Sequence, residues 1–234
     1  VWATLEKWLG KRPGSLIANT TGFDDTTARI SFPRAAVEAA SDAADLLASG
    51  ATMGTLPADA RRAVQLYTST APHEMIHAAA YDAPAKPDIA WMNAGVVSPF
   101  TEGLTEAATS GNYRRFSDRI LGPNVGSLTD AERQKYGYAP VQLEPMQRVA
   151  NLAASEAPAT VLLRNAAAVP IGQQAQQLVR DVAPHATAAQ ADALVGAVIN
   201  LARDRSQRNA DATQSLAAFD AALGAVRAAR PATT

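Results

Sequence analysis

The chain has no cysteine, which removes a disulfide framework, a thiolate metal site and a cysteine nucleophile together. Charge is also scarce and balanced. The 21 basic and 22 acidic residues leave a net charge of −1, so neither nucleic acid nor an anionic membrane surface is an expected partner. Long apolar runs are missing as well. The longest, Ala193 to Ala202, is about half the roughly 20 residues a membrane-spanning helix needs. Histidine is rare too: there are three in 234 residues, which makes their placement informative. The chain opens at Val1 with neither an initiator methionine nor a signal pattern, which reads as the start of a trimmed or processed chain in which any targeting segment would be invisible.

What is present reads as a predominantly helical α+β chain, long enough to bury a real core in one large domain or two small ones. Val1 to Leu9 has the spacing of a short amphipathic helix. Ser15–Thr20 and Thr27–Phe32 read as short strands around a turn-rich stretch at Thr21–Asp25. Helices are expected at Ala35–Ser49, ending at Gly50, and at Asp59–Tyr67. Pro72 then kinks the second helix or marks a fresh start capped by Ser69 or Thr70. Ser98-Pro99 opens another helix that stops at Gly111-Asn112. Thr129 and Glu132 form a capping box. Further helices are expected near 142–156, 159–168, 172–182, 187–204 and 209–229, broken at Pro158, Pro170 and Pro184. Leu194, Val198 and Leu201, then Leu216, Phe219, Leu223 and Val226, mark the core stripes of the last two. Arg203, Arg205 and Arg208 read as solvated faces.

Two of the three histidines stand in His73-Glu74-Met75-Ile76-His77. Residues four apart on a helix differ by about 40° in direction, so both imidazoles can share one metal ion. Glu74 lies one position round, where a general base can reach water on that ion without ligating it. Shuffling the 3 His and 8 Glu would produce this pattern in only about one sequence in a thousand. A catalytic zinc also wants a third protein ligand. Gly at 80 and His at 83 would complete a metzincin site; this chain has Ala80 and Ala83, which excludes that class. The best candidate is Glu102, in Thr101-Glu102-Gly103-Leu104-Thr105-Glu106, with Glu106 one turn on as an acceptor for the free N–H of a ligating histidine. A solvated acidic face is the ordinary alternative for that pair, and the flanking Phe100, Leu104, Ala107 and Ala108 argue against it.

These residues carry a resemblance. An H-E-x-x-H helix followed by a helix with Glu-Gly-(apolar)-x-Glu resembles the gluzincin branch of zincin metallopeptidases. The resemblance covers Ala71–Ser110, with Ala28–Phe32 as the edge strand that binds extended substrate. It implies a zinc ion on His73, His77 and Glu102, Glu74 as general base, and a peptide or protein substrate. It further implies a zincin-like core over 1–112, with a small sheet beside the motif helix, and a helical subdomain over 113–234 that completes the cleft. Tyr138, with its neighbour Tyr136, and His185 are the candidates to stabilise the oxyanion. Thr101 stands where aminopeptidases carry Asn, and no Gly-x-Met-Glu-Asn motif is present, which points to an endopeptidase or a more divergent enzyme. Small bacterial zincins with the same Glu-Gly-Leu-Thr-Glu run include exported, toxin-like modules, so export is favoured over a cytoplasmic location. The competing reading is a catalytically silent binding or effector module on the same scaffold.

Overall fold

The computed structural model describes residues 16–17, 22–24, 29–32, 34–80, 98–110, 140–153, 158–206 and 211–230. The expected helix at Val1–Leu9, the Thr129/Glu132 capping box, and Tyr136 and Tyr138 lie outside them. The described chain is predominantly helical, with one small sheet. Its contacts divide it into two units. The first is Val1–Tyr81 with Thr109–Gly137, and the second is Asp82–Ala108 with Tyr138–Thr234. The expected break at 112 is therefore not where the contacts divide. The segment carrying Glu102 groups with the C-terminal helices.

In the first unit, strands β1 (Leu16–Ile17), β2 (Gly22–Asp24) and β3 (Arg29–Phe32) form a sheet in the order β1-β3-β2. β1 runs parallel to β3, with Leu16 opposite Ser31, and β2 runs antiparallel, with Phe23 opposite Ile30. Two expectations are corrected here. The Gly-Phe-Asp stretch read as a turn is itself a strand, and β3 is the middle strand of the three rather than an edge. Glycine and aspartate are poor strand formers, but pairing partners decide strand formation more than propensity does.

Helix α1 spans Arg34–Ala48 and ends by a Schellman motif. Gly50 takes φ +102°, its N–H donates to the Leu47 carbonyl at 3.1 Å, and the Ala51 N–H donates to that of Leu46 at 3.0 Å. The chain then turns at Thr52–Thr55 and buries Leu56 with Ala43 of α1 and Val64 of the next helix. That helix, α2 (Ala58–Ala80), packs against α1 and against β2 and β3. Its first hydrogen bond runs from the Arg61 N–H to the Pro57 carbonyl. No fresh start occurs at Ser69 or Thr70: α2 is a single helix through Pro72. The proline has no N–H, so the carbonyl at position 68 loses its usual donor, and the turns on either side carry the helix past the gap.

The second unit contains most of α3 (Ser98–Ser110) and helices α4 (Pro140–Ala150), α5 (Ala159–Ala167), α6 (Gln174–Val182), α7 (Ala188–Ser206) and α8 (Thr213–Ala228). A 3-10 turn, Asn151–Ala153, ends α4 earlier than the expected 156. α7 packs on α8, α6 and α4, with Leu194, Val198 and Leu201 buried against Phe219, Leu223 and Val226 in the shared core. Leu216 is only half-buried, and Ser215 beside it is buried instead. Arg205 is not a solvated charge either: it pairs with Glu144 of α4. Arg148 bridges Glu144 to Asp220 and lies over the Phe219 ring at 4.9 Å. Among the described residues no helix is long and apolar enough to cross a membrane.

Candidate metal centre

α2 delivers both motif histidines to one point. The Nε2 atoms of His73 and His77 stand 3.1 Å apart, with ring centroids 4.8 Å apart and planes inclined at 71°. Two imidazoles on one tetrahedral zinc, at about 2.0–2.1 Å each, put their nitrogens about 3.3 Å apart. The observed spacing is within a few tenths of an ångström of that value. Without a metal, the same distance suits one neutral ring donating Nε2–H to the other. A cation bound there takes that proton's place, because ligation requires both nitrogens to be deprotonated. With Nε2 facing the shared point, Nδ1 remains on each ring for an orienting acceptor.

The motif is buried around this point: His73 is 7%, Glu74 8% and His77 8% exposed. An ionised carboxylate at such depth needs compensation from hydrogen bonds or charge, which sets Glu74 apart from a surface glutamate. It neighbours His73 in sequence and is turned about 100° from it along the helix.

In the second unit, α3 carries Glu102 and Glu106 one turn apart, Glu102 half-buried and Glu106 7% exposed. Phe100, Leu104, Ala107 and Ala108 are all buried, as their composition suggested, so α3 does not present a solvated acidic face. Thr101, Thr105 and Thr109 are buried as well. Sequence reading missed this threonine stripe, although its i, i+4, i+8 spacing was a usable signal. His185 lies in the exposed turn between α6 and α7. Tyr138 is outside the described residues.

No protein-family model, curated protein or solved structure matches this chain.

Proposed function

We propose that the chain is a zinc-dependent metallopeptidase, with His73 and His77 ligating through Nε2 and Glu102 through a carboxylate oxygen. The observation that carries the reading is the pair of buried Nε2 atoms 3.1 Å apart on the helix that also bears Glu74. Further support comes from the donor set. Two imidazoles with a carboxylate are the set of a catalytic rather than a structural zinc. The packing of β2 and β3 on α2 supports a zincin-like arrangement, and the resemblance to gluzincins makes a peptide or protein the substrate.

Zinc in such a site supplies Lewis acidity toward a scissile carbonyl and lowers the pKa of water to roughly 7. The chain's own groups manage the proton. One Glu74 oxygen accepts it from the attacking water, and the same carboxyl then gives it to the nitrogen of the leaving amine. Glu106 is assigned the orienting bond to the Nδ1–H of a ligating histidine, which fixes the tautomer that leaves Nε2 free to ligate.

Metal analysis of the purified protein, followed by zinc titration, tests the site. About one zinc per chain is expected, and a protein that takes up none sinks the reading. Glu74→Gln tests the chemistry: the amide keeps the volume but accepts no proton at neutral pH. Zinc content and melting temperature should hold while hydrolysis of a mixed peptide library disappears. A wild-type protein that binds zinc but cleaves no library supports the silent binding module instead.

A further inference from the structure

Proline is the least favourable residue in a helix interior, yet Pro72 stands well inside α2, immediately ahead of His73. Backbone bonds run from residue i to i−4, so four of them normally cross any point of a helix. At the joint between Ala71 and Pro72 the first is missing, because proline has no N–H. The bonds that remain are those donated by His73, Glu74 and Met75. Proline is also well suited to open a helix, since its fixed φ and absent N–H cost nothing at the first helical position. Residues 72–80 can therefore stay helical while tilting away from 58–71 as a unit.

The upstream half is anchored, with Ala60 and Val64 packed among Ala43, Leu47 and Leu56. The downstream half carries His73, Glu74 and His77, and their exposure of 7–8% leaves a hydrated cation little access to the paired Nε2 atoms. An ion reaches two buried donors only when the structure opens locally, at a cost set by the bonds and contacts that break. The joint beside His73 has one bond fewer to break.

We propose that residues 72–80 form a gate hinged at Pro72, through which a divalent cation reaches and leaves the His73–His77 pair. The proposal rests on metal binding by these histidines and not on hydrolysis, so it holds for an enzyme and for a silent binding module alike. Entry and exit cross the same barrier. A change at the hinge therefore moves both rates together and leaves the equilibrium affinity almost untouched.

The test is Pro72→Ala in the full chain, which restores the N–H and should raise the melting temperature of the metal-free protein. Zinc-loaded wild type and variant are mixed with a fluorescent chelator, at concentrations where release no longer depends on it. Equilibrium competition gives the dissociation constant, and the loading rate follows from the two. One added hydrogen bond of ordinary strength predicts release and loading each about five- to tenfold slower, with the dissociation constant held within about twofold. Hydrogen exchange at the amides of His73, Glu74 and Met75 should slow by a similar factor in the metal-free variant. A proline that is merely tolerated raises the melting temperature when replaced but leaves both zinc rates alone, and that result overturns the gate. So does slower release with unchanged loading, which would put the effect in the bound state and not in the opening. Failure of the metal reading is distinct: wild type then takes up no zinc, and the gate falls with it.

Discussion

Glu102 and Glu106 share a helix face and differ in depth: the first is half-buried, the second buried. An orienting acceptor gains from exclusion of water, because its hydrogen bond strengthens as the local dielectric falls. Mutation separates the two proposed roles, ligand for Glu102 and orienting acceptor for Glu106. Glu102→Ala should empty the site at ordinary zinc concentrations. Glu106→Ala should still fill at saturating zinc, with affinity or turnover reduced roughly 10- to 100-fold. Titration of both variants against a fluorescent zinc chelator separates the two. A metal-free Glu106→Ala protein beside a normally loaded Glu102→Ala protein would exchange their assignments.

Among the described elements, α1 ends at a glycine with positive φ. Gly50 sits at φ +102°, and a Cβ built there meets nothing within 4 Å. Gly50→Ala therefore carries the backbone penalty alone, about 1–2 kcal/mol, read as a lower urea midpoint at constant m-value. A neutral substitution would mean that the chain reverses there by another turn. This stop was legible in the sequence, as were both ends of α3 and the proline breaks, because glycine and proline act locally through φ and the missing N–H. The H-E-x-x-H spacing was legible for the same reason, since one helical turn sets it. Contacts made far along the chain were not. β2 is a strand because it pairs with β3, and its own Gly-Phe-Asp composition argues for a turn. The bond from Arg205 to Glu144 joins residues 61 apart, and no local pattern announces it. Continuity through Pro72 was open for a related reason: the packing of α2 on α1 outweighs one absent hydrogen bond, and packing is invisible in a window of a few residues.

For the whole molecule, the two histidines proposed as ligands belong to α2, while the core around Leu194, Leu201, Phe219 and Leu223 contains no proposed ligand. Metal removal should therefore lower stability without unfolding the chain. Zinc at about 100 times its dissociation constant contributes about 2.7 kcal/mol, so chelation should lower the melting temperature by roughly 5–10 °C for a chain of this size. Far-UV circular dichroism should stay helical, and His77→Ala should abolish the zinc-dependent shift. Loss of most helical signal on chelation would mean that the metal holds the fold together. The His73–His77 pair also has a kinetic consequence. Its two donors are one helical turn apart, so they converge whenever that turn forms, and isolated helices form and melt within about a microsecond. The denatured ensemble thus samples a two-pronged chelate before any tertiary contact exists. Zinc bound by that ensemble subtracts from the stabilisation expected of a ligand specific for the native state, and refolding in zinc begins with this stretch of α2 already biased toward helix.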